Sequence, residues 1–354
     1  MIIPTEPIGS IPRPQFLIEA RRKWEQGQLS RDQLEHVSGD ALSDTILRLE
    51  ATGSPVITDG EQTKPSFATY AIDGAQNISP DGISIPFADG HTRQLPRLIN
   101  GPFRYTVYAV SYLRTARKLT TLPLKQAVIS ASALSLLYPK EQIPNYSKEL
   151  FLRDLIDEAE KDIRACLEAG AANVQIDFTE GRLALKLDPS GKLLKQFVHL
   201  NNQVFERFSA EERLRLGVHS CPGGDRDATH SADVDYAGLL PTLFRLNATN
   251  FYLQLASEPD RERVLALIRS AIQPHHRIFI GVIDPINPTL ETPDEVCTRV
   301  LQAAKYIPLN QLGTTDDCGF SPFMDDTSTA RDLAFAKIAA RVRGTAMAAE
   351  RLAH

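Results

Sequence analysis

The chain has 354 residues, of which 42% are hydrophobic and 23% charged, so it carries enough apolar material for a large buried core. Its formal net charge of -5, without a long run of Lys or Arg, argues against nucleic acid as a partner, because that binding depends on clustered positive charge. No apolar stretch approaches the roughly 20 residues of a membrane helix, and residues 1–11 lack the pattern of a signal peptide. We therefore expect a cytoplasmic protein with neither a membrane nor a nucleic-acid partner, and the sequence leaves its oligomeric state open.

Short runs of β-branched residues alternate with helical segments along the chain, which is typical of parallel strands joined by helices. The predicted strands, in chain order, cover residues 2–6, 55–59, 126–130, 173–177, 214–219, 250–255, 277–283 and 309–314. The predicted helices cover residues 14–51, 147–169, 193–208, 236–246, 261–272, 292–306 and 329–352. Residues 63–124 are rich in Pro, Gly and Asp and are predicted to form an insertion, whose extended pieces near 83–87 and 103–110 suggest a hairpin.

Eight strands alternating with helices predict an α/β fold of the (β/α)8, or TIM, barrel type. We expect one domain over residues 1–354, with an N-terminal helical region and an insertion after the second strand at about 63–124. The alternative is an open, doubly wound sheet. Against it, no G-x-G-x-x-G follows the first strand, and no Walker-type loop is present in the sequence.

Polar side chains follow seven of the eight predicted strands, at the ends where a barrel carries its chemistry. In chain order they are Ser10, Glu61, Asp177, His219 with Cys221, Gln254, Asp284 and Cys318. Because the carboxyl ends of barrel strands share one rim, these side chains are expected to lie near one another. We assign Asp284 to substrate binding on this basis.

The pair His219 and Cys221 is the strongest indication of a metal site. Alternate residues of a strand face the same way, so an imidazole and a thiolate can point at one position, and Cys318 returns to the same rim from the eighth strand. Zinc accepts mixed nitrogen and sulfur ligands, and we predict that these three residues bind it. The alternative is that the H-x-C spacing is chance and both cysteines are buried thiols.

A zinc ion held by two thiolates has little Lewis acidity left for splitting water, but it suits the binding of a substrate thiol as thiolate. Glu61 and Asp177 are then candidates for acid–base work or for holding an ammonium group, and Ser10 for donating to a carboxylate. The alternatives are that Asp177 caps a helix and that Glu61 and Ser10 are solvated rim residues. His230, nine residues after Cys221, is interpreted as a loop histidine rather than an acid–base residue.

Several segments together carry a family resemblance. These are Ile8-Gly9-Ser10, Asp59-Gly60-Glu61, Val174-Gln175-Ile176-Asp177, His219-x-Cys221 and Asp317-Cys318-Gly319. In this order, over nearly the whole chain, they resemble the C-terminal catalytic barrel of cobalamin-independent methionine synthase. The resemblance implies that His219, Cys221 and Cys318 bind zinc, and that Ser10, Glu61 and Asp177 line the site for homocysteine.

The sequence departs from that family in four respects, of which the first is that the N-terminal half of the full synthase has no counterpart in these 354 residues. The fourth zinc ligand there is a glutamate where this chain has Gln254, a weaker neutral candidate, and the alternative fourth ligand is Glu258 or a water. The family has a histidine, which protonates the departing folate nitrogen, about where Ile286 stands here. The stretch 175–182 looks more like the epoxyalkane:coenzyme M transferase branch, in which Arg182 would face an anionic substrate group.

The sequence therefore predicts a zinc-dependent alkyltransferase whose partners are a small-molecule thiol and an alkyl donor, with methyl transfer to homocysteine or a related thiol as the first hypothesis. The second hypothesis is zinc-dependent addition of a thiol to an epoxide. The third is a ligand-binding barrel in which the zinc is structural.

Overall fold

The computed structural model describes residues 2–354, in which two N-terminal helices and a largely irregular segment precede an alternation of strands and helices. The strands are β1 (Ile78–Ser79), β2 (Ser84–Pro86), β3 (Thr92–Gln94), β4 (Arg97–Leu98), β5 (Gln126–Ile129), β6 (Val174–Asp177), β7 (Leu216–Ser220), β8 (Asn250–Leu253), β9 (Arg277–Ile283) and β10 (Leu312–Asp316). The helices are α1 (Gln15–Glu25), α2 (Arg31–Ala51), α3 (Val110–Ala116), α4 (Ala131–Ser135), α5 (Lys148–Glu168), α6 (Glu180–Leu187), α7 (Lys192–Phe205), α8 (Ala210–Arg213), α9 (Tyr236–Leu243), α10 (Arg261–Ala271), α11 (Pro293–Ala303) and α12 (Arg331–Arg351), with a short 3-10 helix at Tyr70–Ile72.

Strands β5 to β10 form a six-stranded sheet in the order β10-β9-β8-β7-β6-β5, in which every neighbouring pair is parallel. Consecutive parallel neighbours require crossover connections, and helices supply them here. The strands are buried along almost their whole length, as expected where helices cover a parallel sheet. All carboxyl ends consequently point to the same edge of the sheet.

The first two predicted strands, at residues 2–6 and 55–59, are wrong, because neither segment forms a regular strand. Thr5 pairs with Thr314 of β10, and Ile57 pairs with Leu124 just before β5, each through one isolated parallel bridge. The prolines Pro4 and Pro7 around Thr5 have no N–H to donate, which limits this segment to a short contact. Each edge of the six-stranded sheet is thus extended by a bridged segment and not by a further strand.

The N-terminal helical region is two helices where the sequence predicted one. Gly27, with φ of 71°, ends α1 in the left-handed region that favours glycine. Ser30 then begins α2 with a capping box, in which its hydroxyl accepts from the backbone N–H of Gln33 and the Gln33 side chain accepts from the Ser30 N–H. The predicted helices after the insertion are present as α5, α7, α9, α10, α11 and α12, with ends within three residues.

The predicted hairpin near 83–87 is present in the insertion, where β2 pairs with β3 in antiparallel fashion. The extended piece expected near 103–110 is not a strand, because its backbone donors go to side chains of α5. The N–H of Tyr105 donates to Glu158 at 3.2 Å, and that of Ala109 donates to Asp162 at 2.6 Å. No helix of residues 2–354 has the length and apolar character needed to cross a membrane.

Candidate metal and substrate site

The three side chains predicted to bind zinc meet at the carboxyl edge of the sheet. His219 lies in β7, Cys221 follows that strand directly, and Cys318 follows β10. Their candidate ligand atoms lie within 4.8 Å of one another, and the two sulfur atoms are 3.3 Å apart. One nitrogen and two sulfurs in this arrangement are a donor set that zinc accepts.

The orientation of His219 fits metal binding. Its Nδ1 lies 3.3 Å from the carbonyl oxygen of Tyr252, to which an Nδ1–H donates. Its Nε2 is buried and lacks a hydrogen-bond partner within the described part of the chain, so the Nε2 lone pair is available to an ion. Without an ion, the hydrogen bond with Cys221 and burial together raise the pKa of the Cys318 thiol well above its ordinary value.

Gln254, the candidate fourth ligand, has both ends of its amide engaged. Its Oε1 accepts from the guanidinium of Arg182, and its Nε2 donates to the hydroxyl of Ser257 at 2.6 Å. Arg182 is in turn held by Glu258 at 3.1 Å and by the carbonyl of Val234 at 2.8 Å. Coordination of a metal by Gln254 stays a prediction, and it would require this amide to leave Arg182.

A buried carboxylate ties the Cys318 segment to the end of β8. Both oxygens of Asp317 accept backbone N–H groups, from Leu255, Ala256 and Ser257, each at 2.8 Å. The Ser257 hydroxyl also donates to this carboxylate at 2.7 Å, so four hydrogen bonds hold the residue before Cys318. This contact holds one candidate ligand in place independently of any metal.

The two predicted catalytic carboxyl groups lie at neighbouring positions of the same site. Glu61 follows Gly60, and both have positive φ, 54° and 63°, in a tight turn after the Ile57 bridge. A Cβ at position 60 would meet a Thr45 methyl at 2.6 Å, so glycine is needed there. Burial raises the pKa of Glu61 and of Asp177, since desolvation disfavours the charged forms.

Lys64 provides the opposing charge beside Glu61. Its Nζ lies 3.4 Å from Glu61 Oε1 and donates to the Ala127 carbonyl at 2.8 Å. Burial alone would lower the pKa of Lys64, but the nearby carboxylates, Glu61 foremost, outweigh it and raise that pKa. The sequence reading did not single out this lysine, although its position three residues after Glu61 is a usable signal.

Ser10 packs against the loop that follows Cys318. Its hydroxyl accepts the N–H of Ser321 at 3.1 Å, which leaves the hydroxyl hydrogen for another acceptor. A Cβ at Gly319 would lie 2.2 Å from that oxygen, so only glycine allows this approach.

Asp284 has a different environment from the other predicted site residues. Its carboxylate accepts the backbone N–H groups of Ile286 at 3.0 Å and Asn287 at 3.3 Å, in a turn after β9. Within residues 2–354 it is not part of the cavity wall described next. Its role in substrate binding stays a prediction.

A cavity of about 360 Å³ opens at this edge of the sheet and brings five predicted residues together. These are Ser10, Glu61, Asp177, His219 and Cys318. The cavity is also lined by apolar residues, which include Ile129, Ala133, Leu136 and Leu183. The cavity wall therefore includes polar residues, among them two candidate metal ligands, as well as apolar residues.

The sequence did not single out Glu180 as a cavity residue, and it assigned His230 to a loop without placing it at the site. Glu180 begins α6, a helix that was not predicted, three residues after Asp177. His230, interpreted as a loop histidine, is buried on the cavity wall, and burial lowers its pKa to about 4. A short helix directly after a strand end was the signal available for Glu180.

The β2–β3 hairpin also reaches the cavity, which places part of the insertion at the site. Phe87 and Arg93 line the cavity, and the N–H of Ala88 donates to the carbonyl of Thr229 at 2.8 Å. The insertion therefore forms one wall of the pocket and contacts the loop that follows Cys221.

Together, the parallel α/β sheet with mixed nitrogen and sulfur donors at its carboxyl edge defines a candidate metal-dependent α/β enzyme. Residues 3–341 match the family described as the catalytic domain of cobalamin-independent synthase, and the chain belongs to that family.

Individual relatives agree with this membership. A methionine synthase of Sulfurisphaera tokodaii is 23% identical over 99% of this chain and 94% of its own length. The 5-methyltetrahydropteroyltriglutamate–homocysteine methyltransferase of Nitratidesulfovibrio vulgaris is 25% identical over 90% of this chain but 38% of its own length. The B12-independent methionine synthase of Shewanella sp. W3-18-1 shares the fold, with a TM-score of 0.79 at 20% identity over 100% of this chain and 99% of that one.

Proposed function

We propose that this protein is a zinc-dependent methyltransferase whose acceptor is the thiol of homocysteine or of a related compound. The observation that carries the proposal is the convergence of His219, Cys221 and Cys318 within 4.8 Å beside a cavity lined by buried carboxyl groups. Membership of the cobalamin-independent synthase family supports it. The Shewanella relative, solved with selenomethionine, binds a selenium analogue of methylated homocysteine, which agrees with such an acceptor.

The residues of the site have two proposed roles, because some would bind the metal and others would bind the substrate. His219, Cys221 and Cys318 would hold zinc, which when bound supplies the positive charge that keeps a substrate thiol deprotonated at neutral pH. Glu61 and Asp177 would hold the ammonium group of the acceptor, whose charge offsets the cost of ionising two buried carboxyl groups. Ser10 would donate to the acceptor's carboxylate. We also take the six-stranded sheet and its two bridged edge segments to act as the eightfold barrel of this family.

The contacts of Arg182 favour methyl transfer over the epoxide reaction. Its guanidinium pairs with Glu258 and Gln254, and among the described residues it is not part of the cavity wall. An anionic group of a coenzyme M-like thiol would therefore not meet this arginine. The same contacts occupy the Gln254 amide, so His219, Cys221 and Cys318 would hold the ion without it. Three protein ligands are typical of catalytic rather than structural zinc.

The proposal is tested by comparing two cysteine variants. Cys318→Ala removes a candidate ligand, whereas Cys297→Ala removes a buried thiol in α11 and is the matched control. We expect Cys318→Ala to lose its zinc, measured by atomic absorption, and to lose methylation of homocysteine, while its circular dichroism remains that of the wild type. Cys297→Ala should keep both. A zinc-free Cys318→Ala protein with full activity would overturn the proposal.

A further inference from the structure

Glu180 is a buried carboxyl group on the cavity wall, and one of its two oxygens has no hydrogen-bond partner among residues 2–354. It begins α6, lines the cavity and is 5% exposed. Its Oε1 accepts hydrogen bonds from the hydroxyls of Ser130 and Ser132. Its Oε2 is buried and has no hydrogen-bond partner among residues 2–354.

The direction of these hydrogen bonds places the proton of Glu180. The Ser130 hydroxyl accepts the N–H of Ala133 at 3.0 Å, and the Ser132 hydroxyl accepts from the Asn201 amide at 2.6 Å. Both serines therefore have their hydroxyl hydrogens available to donate to Oε1. Oε1 already accepts two hydrogen bonds. In the neutral acid, the proton is therefore carried by Oε2, the oxygen that has no partner among the described residues.

The surroundings keep this proton available near neutral pH. Burial raises the pKa of Glu180 to about 7, the two serine hydrogen bonds oppose that rise, and the nearby charge of Asp177 adds to it. Helices α7 and α9 pack against α6. Ser132 of α4 donates to Glu180, and Asn201 of α7 donates to Ser132. The remaining titratable groups of the cavity wall are Glu61, Arg93, His219, His230, Cys318 and Asp325.

We propose that Glu180 is the general acid that protonates the leaving atom of the alkyl donor. The inference rests on the proposed function and names a catalytic residue for it. In the step, the acceptor sulfur forms a bond to the donor's methyl carbon, and the bond from that carbon to the leaving atom breaks. The electron pair stays on the leaving atom, which takes the proton of Glu180 Oε2, and the resulting carboxylate regains a proton from water.

The cavity favours Glu180 for this role over the buried histidine. With its pKa lowered to about 4, His230 is neutral near pH 7 and carries no acidic proton of useful strength. Ile286 offers no proton at all. The cavity wall also contains Ile129, Ala133 and Leu136, so it offers an apolar surface to the body of the donor.

Donors with different leaving atoms provide the test. Methyl transfer from 5-methyltetrahydrofolate leaves an amine nitrogen that needs a proton, whereas transfer from the sulfonium S-methylmethionine leaves a neutral sulfide that does not. With homocysteine as acceptor, we expect Glu180→Gln to lower kcat with the folate at least about 100-fold and to change kcat with the sulfonium by less than about threefold. The folate reaction of the wild type should slow as pH rises through about 7, and this limb should be lost in Glu180→Gln.

The outcomes separate this inference from the proposed function. Wild-type protein that methylates homocysteine from neither donor would contradict the proposed function itself. Wild-type protein that uses the folate, with Glu180→Gln equally active or equally impaired on both donors, would overturn the role of Glu180 alone. Reaction with the sulfonium only would also overturn that role, because no leaving atom would then need the acid.

Discussion

Arg93 of the β2–β3 hairpin pairs with both Asp225 and Asp325, at 3.0 Å and 2.9 Å. Asp225 follows Cys221 by four residues, and Asp325 follows Cys318 by seven. One guanidinium therefore connects the insertion to the loops that follow both candidate metal-binding cysteines. We therefore expect the insertion to stabilise the site.

We expect Arg93→Ala to destabilise the protein by about 3 kcal/mol, because it leaves the buried Asp225 with fewer partners. The loops that follow Cys221 and Cys318 should also become more mobile in this variant. Zinc should therefore be released faster to a chelator, and a chromogenic competitor measures the rate of release. The matched control is Arg97→Ala, since Arg97 pairs with Asp81 on the exposed side of the insertion. That variant should lose no more than about 1 kcal/mol. Equal zinc release from both variants would show that the Arg93 contacts do not hold the site.

Gln254→Glu tests whether position 254 reaches the metal. The new carboxylate would replace a neutral oxygen next to Arg182, so we expect it to pair with that guanidinium instead of binding zinc. The zinc Kd, measured by competition titration, should then change by less than about threefold. Zinc bound tenfold more tightly or better would mean that residue 254 coordinates the ion in solution.

Glu61→Gln tests how the acceptor is recognised. Loss of the negative charge should raise KM for homocysteine about 10- to 100-fold, the effect of one charged hydrogen bond. The thiol 4-mercaptobutyrate, which lacks the amino group, should react as poorly with wild type as with the variant. If Glu61→Gln impaired both thiols alike, Glu61 would act on the thiol or the donor and not on the ammonium group.

The free energy of unfolding should depend on pH in a way that reflects the raised pKa of Glu180. Its pKa is raised to about 7, above the value of 4.5 of an exposed glutamate, so the folded state holds a proton that the unfolded state has lost. This contribution to stability is complete below about 4.5 and is lost as pH rises through about 7. We expect Glu180→Gln to gain up to about 3 kcal/mol relative to wild type between pH 5 and pH 8, measured by urea unfolding. A constant difference across that range would contradict the assignment.

The candidate metal ligands could be predicted from the sequence more accurately than the structure of the irregular segments. His219, Cys221 and Cys318 could be found because each ends a strand with a regular apolar pattern, and parallel strands share one carboxyl edge. Thr5 and Ile57 were predicted in strands, but their pairing depends on tertiary contacts with Thr314 and Leu124 and not on local pattern.

Contacts between distant segments explain what sequence reasoning missed. The engagement of Gln254 depends on Arg182, 72 positions earlier, and no spacing rule connects the two. Arg93 was read only as part of an insertion, although it meets Asp225 across 132 positions. Glu180 was passed over because no helix was predicted at residues 180–187, so nothing placed its side chain beside Ser130 and Ser132, about 50 positions earlier.

X-ray absorption at the zinc edge, recorded without and with homocysteine, tests the central claim most directly. The free protein should show zinc with one histidine nitrogen and two sulfurs, from His219, Cys221 and Cys318. Addition of homocysteine should add a third sulfur, because the substrate thiol takes the open position. Stoichiometric zinc whose sulfur count does not change with homocysteine would contradict thiol activation, and protein that binds no zinc would contradict the metal site itself.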